Sequence, residues 1–216
     1  MYNYILFDLD GTISDSGKGI YNGVLYALDK FGIKETDQNV LNTFIGPPLV
    51  DAFMANYSFS NEKALKAVEY YREFYREDGI YQNSLYDGVK DLIIKLKRQG
   101  KILVLATSKP QPFAEIVLNQ YNLLGYFDYI IGATFDGKLN YKNDVIRVAL
   151  EISGISDKSQ AIMIGDRHHD IEGAKENGLD SIGVLYGYGD LVELQNAGAN
   201  FIAETPQDIL KIINDN

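Results

Sequence analysis

The chain has 216 residues, a formal net charge of −10 and 46% hydrophobic residues, the profile of a globular protein long enough to bury a core without staples. It has no cysteine, which excludes disulfides, thiolate metal sites and a thiol nucleophile. Its negative charge disfavours a nucleic-acid polymer or an anionic membrane as partner, while a local positive pocket can still hold a small anion.

No basic leader opens the chain and no apolar run approaches the ~20 residues that span a bilayer, so a cytoplasmic protein without a membrane partner is expected. The first predicted element is a strand at Tyr4–Leu9. From about Ser14 to Tyr81 the pattern holds no convincing strand. Helices are predicted instead at Gly19–Phe31, where Ile20, Val24, Ala27, Leu28 and Phe31 fall near helical spacing, at Asp37–Phe44, and at Glu62–Glu77, with Leu65, Val68, Tyr71 and Tyr75 on one face. Gly46-Pro47-Pro48 reads as a turn, with Pro48 in the first turn of a further helix. An insertion of roughly 65 residues is too long for an ordinary connection and is expected to be a small all-helical domain.

Beyond it, strands are predicted near Lys101–Ala106, Tyr129–Gly132, Ala161–Ile164, Ser181–Leu185 and, more weakly, Asn200–Ala203. Helices are predicted at Gly88–Gln99, Pro112–Tyr121, Lys142–Ser153 and Ile171–Asn177. A last helix at Glu204–Ile213 has Thr205 as its cap and Pro206 at its first position. The strand runs are continuous rather than alternating, as in strands covered on both faces. The expected fold is therefore α/β, a doubly wound Rossmann-like parallel sheet over residues 1–14 and 82–216, with a helical domain inserted over 15–81. Sixteen tyrosines suit core, pocket walls or a subunit interface, so monomer and homodimer both remain open.

Four separated motifs carry chemistry. Asp8 and Asp10 lie two apart at the end of the first strand, so they share a face, at the carboxyl edge where open α/β sheets place ligands. Gly11 permits a sharp turn there, and Thr12 a local hydrogen bond. A helix cap beside a solvated acid would read the same way. The run Ile102–Ala106 ends in Thr107 and Ser108, and Pro110 and Pro112 mark a helix start. The N–H groups there, with the Thr107 hydroxyl, suit an anionic oxygen or a plain cap. Lys142 stands at the head of a helix, where its charge would offset phosphate and carboxylates, with Lys138 as a competitor. Finally, Ala161–Ile164 runs into Gly165-Asp166, with Asp170 four residues on. Two more carboxylates at a sheet edge suit a hard cation, Mg²⁺ above all. His168 and His169, the two histidines of the chain, are too few for a structural zinc set and read as exposed or rim residues.

Together these residues resemble the haloacid dehalogenase superfamily of phosphatases over essentially the whole chain. Asp8-Leu9-Asp10-Gly11-Thr12 matches its first motif, Thr107 its second, Lys142 its third, and Gly165-Asp166 with Asp170 its fourth. The likeness is strongest to the phosphoglycolate phosphatase and 5′-nucleotidase group, through Phe44–Leu49, Gly165–Ile171, Gly187-Tyr188-Gly189, Glu193-Leu194 and Ala197-Gly198-Ala199. The resemblance implies hydrolysis of a small phosphorylated metabolite. Asp8 would be the nucleophile, forming an aspartyl-phosphate, and Asp10 the general acid and base. Mg²⁺ would be held by the Asp8 carboxylate, the Asp10 main-chain carbonyl, Asp166 and Asp170, the last directly or through water. Gly11, Thr107, Ser108 and Lys142 would hold the phosphate oxygens.

The helical insertion matches the family's cap, the element that selects substrate. On it, Ser14, Asp15 and Lys18 mark the entry, Gly46 and Pro47 a wall, and Arg72 and Arg76 cations for a substrate carboxylate or second phosphate. A plain turn and a solvated helix face are the competing readings of the last four.

Other members of the superfamily displace halide, but halide leaves without a proton, so Asp10 argues for an oxygen leaving group. The resembling mutases carry a histidine early in the cap, and Gly17–Tyr21 has none. A phosphonate hydrolase would need a Schiff-base lysine, and nothing singles out Lys18, Lys63 or Lys66. From another class, a phospho-accepting regulator would also place acids at a sheet edge, without the helical insertion.

Overall fold

The computed structural model describes residues 1–216. It separates into two compact units, Met1–Ser14 with Leu85–Asn216, and Asp15–Ser84. Strand β1 (Tyr4–Phe7) is followed by a two-residue strand β2 (Ser14–Asp15), then helices α1 (Gly17–Asp29), α2 (Gln38–Asn42), α3 (Leu49–Tyr57) and α4 (Asn61–Glu77), and the short strand β3 (Ser84–Leu85), which pairs with β2. Two-residue strands carry too little periodicity to be read from sequence, which is why β2 was not expected. Helix α3 exists with Pro48 at its N-cap, just outside rather than within its first turn.

The Asp15–Ser84 unit is held by aromatic rings. Phe44 packs edge-on against Phe53 at 4.9 Å, Phe53 stacks on Phe59 at 6.2 Å, and Tyr71 stacks on Tyr75 at 5.2 Å. Such pairs add to the burial of their area. Part of the high aromatic content is therefore internal packing of this unit.

The larger unit continues with α5 (Val89–Arg98), β4 (Ile102–Pro110), α6 (Gln111–Gln120), β5 (Tyr129–Ala133), α7 (Lys142–Ile152), β6 (Ala161–Gly165), α8 (His168–Glu176), β7 (Asp180–Val184), α9 (Leu191–Ala197), β8 (Phe201–Ala203) and α10 (Pro206–Asp215). Six strands pair in parallel in the order β5-β4-β1-β6-β7-β8. Counting only these six, the spatial order is 3-2-1-4-5-6, the doubly wound pattern whose ligand crevice lies at the carboxyl ends where the order reverses. β1 occupies that point. Phe7 is in register with Leu105 on one side and Ile164 on the other. Leu6, Val104, Ile131, Met163, Val145 and Ile146 are all buried in the layer between sheet and α7, which explains their unbroken apolar runs.

Two boundaries depart from the sequence expectation. β4 runs on through Pro110, with a register shift between Thr107 and Pro110, so Thr107 and Ser108 lie inside the strand, and α6 follows directly from Gln111, one residue before the expected start. α8 starts at His168 rather than Ile171, because Asp170 sits at its third position and accepts the Arg167 N–H at 3.1 Å. The signal that looked like a binding motif is also a helix start.

No helix is long and apolar enough to cross a membrane. Helix α10 is capped as expected: Thr205 Oγ1 accepts the Asp208 N–H at 3.3 Å, and Asp208 accepts the Thr205 N–H at 2.9 Å. Thr205→Ala is expected to destabilise the larger unit by about 1 kcal/mol, measurable as a shift of its urea midpoint at constant slope.

Candidate active site

The site begins where β1 ends. Asp8 donates its N–H to Ile164 O at 2.9 Å, which keeps its backbone in the sheet for one residue beyond the strand. The chain then turns sharply, with Gly11 N–H donating to Ser14 O at 2.8 Å and Ser14 N–H to Leu9 O at 2.9 Å. Gly11 takes φ +86°, and a methyl there would overlap the Asp166 carboxylate. The position demands glycine on both grounds.

α7 delivers Lys142 from its first residue. Lys142 is buried, and its Nζ lies 2.6 Å from Asp8 Oδ1, 2.8 Å from Asp170 Oδ1 and 3.1 Å from Ala106 O. The end of β1, the middle of β4 and the starts of two helices therefore meet at one ammonium. The contacts to the two carboxylates are ion pairs of short distance but poor alignment, since neither Oδ1 receives a well-directed hydrogen bond. Lys138, the competitor in sequence, instead makes an exposed pair with Asp136 at 3.0 Å.

Asp166 is fully buried and ordered by two donors, Tyr188 N–H to Oδ2 at 2.8 Å and Thr12 Oγ1–H to Oδ1 at 3.3 Å. Burial and the Asp170 and Asp8 charges push its pKa well above the usual carboxylate range. Asp8 is raised to about 6 by burial, against the pull of Lys142, with Asp170 adding to the rise. Burial works against the Lys142 charge, but Asp170 and Asp8 outweigh it and raise its pKa. The imbalance has a plain cause. Asp8, Asp166 and Asp170 offer carboxylate oxygens all within 4.8 Å of one another, and one ammonium leaves two formal negative charges unmatched in a buried place. Oxygen donors, low dielectric and a deficit of two charges fit a divalent hard cation such as Mg²⁺.

Asp10 is less buried and points elsewhere. Both its oxygens accept from Lys109 Nζ at 3.0 Å, and the lysine side chain is 4% exposed. Sequence reading missed Lys109, because the apolar run ends at Ala106 and nothing in it marks the extension of β4 to Pro110. β4 continues past Thr107, and Lys109 is buried within that extension. Thr107 is buried, and its Oγ1 accepts the Lys109 N–H at 3.2 Å; Ser108 is half-buried.

His168 and His169 are half-buried at the start of α8, the rim alternative of the sequence reading. His168 Nδ1 lies 2.8 Å from Glu193 Oε1, which also accepts from Arg167 Nε at 2.8 Å. Burial, with His168 and Arg167 nearby, pushes the His169 pKa down to about 4. Their ring nitrogens and the exposed Glu172 form a second, more open group of possible ligands.

The residues expected to select substrate are scattered by contrast. Ser14 is buried and its hydroxyl has no hydrogen-bond partner. Within the helical unit, Asp15 and Lys18 are exposed and Gly46 and Pro47 are half-buried between α2 and α3. Arg72 is half-buried and Arg76 exposed on one face of α4, and burial and Arg76 lower the Arg72 pKa.

Comparison with known proteins agrees with this geometry. Residues 5–184 match the family described as haloacid dehalogenase-like hydrolase. The chain is 42% identical to a 5′-nucleotidase of Pseudomonas aeruginosa, over 90% of this chain and 87% of that protein. It is 31% identical to a phosphoglycolate phosphatase of Vibrio cholerae, over 97% and 96% respectively. Among solved structures it is similar to a predicted phosphatase from Clostridium acetobutylicum, with a TM-score of 0.97 and 48% identity over the full length of both chains. On its carboxyl-edge motifs, its strand order and these relatives, the chain belongs to the haloacid dehalogenase-like hydrolase family and is one of its phosphatases.

Proposed function

We propose that the chain hydrolyses small phosphate monoesters through an aspartyl-phosphate on Asp8, with nucleoside 5′-monophosphates as the leading substrate class and phosphoglycolate-like esters next. The observation that carries the chemistry is the buried Asp8–Lys142–Asp170 constellation at the end of β1. The substrate order rests on the Pseudomonas relative, named a 5′-nucleotidase.

In the first step an Asp8 oxygen attacks phosphorus in line, and the bond from phosphorus to the leaving oxygen breaks. Asp10 gives that oxygen a proton, so the alcohol departs neutral. In the second step Asp10 takes a proton from water, whose oxygen attacks the same phosphorus. The Asp8–phosphorus bond breaks and inorganic phosphate leaves. Lys142, Thr107 and the Ser108 N–H neutralise and orient the non-bridging oxygens, where charge is held in the transition state. Lys142 also keeps Asp8 nucleophilic, since its charge opposes the rise that burial imposes. Asp8, the Asp10 carbonyl, Asp166 and Asp170 would hold Mg²⁺. Once bound, that ion offsets the repulsion between an anionic nucleophile and an anionic ester.

Lys109 has its own part in this reading. It holds the Asp10 carboxylate by both oxygens, so the proton carrier keeps one orientation between turnovers. The Asp15–Ser84 unit is then the cap that discriminates among esters. Arg72 and Arg76 are the groups on it whose charge suits a second anionic group of the substrate.

Phosphate release from a panel of nucleoside 5′-monophosphates, phosphoglycolate and sugar phosphates tests the reading. Multiple turnovers are expected, fastest on a nucleoside 5′-monophosphate. Release limited to a single equivalent would instead mark a phospho-accepting regulator. Asp8→Asn should reduce turnover to background with the circular dichroism spectrum intact, and normal turnover in that variant would sink the nucleophile assignment. Lys109→Met is expected to lower kcat about tenfold with little change in KM, because it disturbs proton transfer rather than binding. Chelation of divalent cations should abolish turnover and Mg²⁺ should restore it; activity that persists after exhaustive chelation contradicts the metal assignment.

A further inference from the structure

The segment Tyr186-Gly187-Tyr188-Gly189, just after β7, contributes no group to the chemistry above, yet it closes tightly around one residue. Tyr188 N–H donates to Asp166 Oδ2 at 2.8 Å. A methyl at Gly187 would overlap Asp166 Cβ and the Gly11 carbonyl oxygen, and would lie 2.7 Å from Asp166 Cγ. A methyl at Gly189 would overlap the Asp166 carbonyl oxygen and lie 3.2 Å from its carbon. Neither glycine has positive φ, so space and not backbone conformation selects them. Gly11 presses on the same carboxylate from the first motif. The Asp166 side chain is thus enclosed by glycine backbone from two distant parts of the chain.

The segment is in turn fixed to the first motif. Tyr186 donates its hydroxyl to Thr12 O at 3.2 Å, and its ring packs against Tyr86 at 5.0 Å. Thr12 is the residue whose hydroxyl donates to Asp166 Oδ1. Tyr186, Thr12, Asp166 and Tyr188 therefore form a closed circuit of hydrogen bonds and chain connections, with both oxygens of the carboxylate engaged.

We propose that Tyr186–Gly189 is a positioning clamp for Asp166, which sets the plane of that carboxylate and so the affinity of the three-carboxylate site for a divalent cation. The proposal rests on the metal reading given above. The clamp works through close approach, since Gly11 and Gly187 lie against the Asp166 side chain and Gly189 against its carbonyl, and through the Tyr188 N–H, which holds one oxygen without adding a competing charge.

Mn²⁺ binding to the full chain, followed by electron paramagnetic resonance of the free ion, tests this without relying on turnover. Gly187→Ala should weaken Mn²⁺ binding about tenfold or more. It should also raise the Mg²⁺ concentration needed for half-maximal phosphate release, while kcat at saturating Mg²⁺ recovers. Tyr186→Phe adds no atom and removes only the hydroxyl that ties the segment to Thr12. It should weaken Mn²⁺ binding about threefold, in the range of one neutral hydrogen bond, at an unchanged circular dichroism spectrum, and it decides the matter if Gly187→Ala does not fold. Parental Mn²⁺ affinity in folded Gly187→Ala, or in Tyr186→Phe, would falsify the clamp while leaving the metal reading intact. A parent chain that binds no Mn²⁺, or an Asp166→Ala variant that binds as well as the parent, overturns the metal reading and the clamp with it.

Discussion

Everything at this sheet edge depends on one buried ammonium. Lys142 lies within 2.8 Å of carboxylate oxygens from both Asp8 and Asp170, at a depth where an unpaired charge of either sign would cost several kcal/mol. Removing it would leave Asp8, Asp166 and Asp170 facing one another without a cation, and the protein would have to protonate them or part the strands. Burial first, and that conflict second, raise the pKa values of Asp8 and Asp166. The ammonium reduces it without cancelling it. A site left short by two positive charges is primed for a divalent cation and, with that cation, for a dianionic phosphate.

The architecture supplies what that balance requires. A parallel doubly wound sheet puts the carboxyl ends of β1, β4 and β6 side by side, with β1 at the point where strand order reverses. Asp8 and Asp166 each follow one of these strands and Thr107 lies in the last half of another, so residues far apart in sequence become neighbours through strand register. α7 and α8 then aim their first turns at the same place, bringing Lys142 and Asp170. The Asp10–Lys109 pair stands beside this cluster and is nearly self-neutral, which keeps the proposed proton carrier apart from the charge balance of the three clustered carboxylates.

Much of this was legible because it rests on local pattern. Unbroken apolar runs ending in acids announce buried strands that deliver ligands to an edge, and the lysine at the head of α7 was singled out by family likeness. Other features were hidden for definite reasons. β4 outlasts its apolar run, since a register shift lets Thr107–Pro110 remain in the strand. Lys109, which holds Asp10, lies in that extension. The start of α8 was misplaced by three residues because Asp170 serves helix capping and the acid cluster at once. The glycines at 187 and 189 read only as a likeness to relatives, since their reason is a close approach to Asp166 and not a turn.

The sequence by itself determined the fold class, the helical insertion, the acids at Asp8, Asp10, Asp166 and Asp170, and Lys142 as a candidate over Lys138. These follow from side-chain period, residue type and family likeness, all of which are local or additive along the chain. Only the tertiary structure decided which charges meet. It joined Lys142 to Asp8 and Asp170 rather than to Asp10, gave Asp10 to Lys109, and closed glycine backbone around Asp166. Ion pairs and close approaches depend on distances between distant segments, and those distances are set by sheet register and helix packing, which no single stretch of sequence contains.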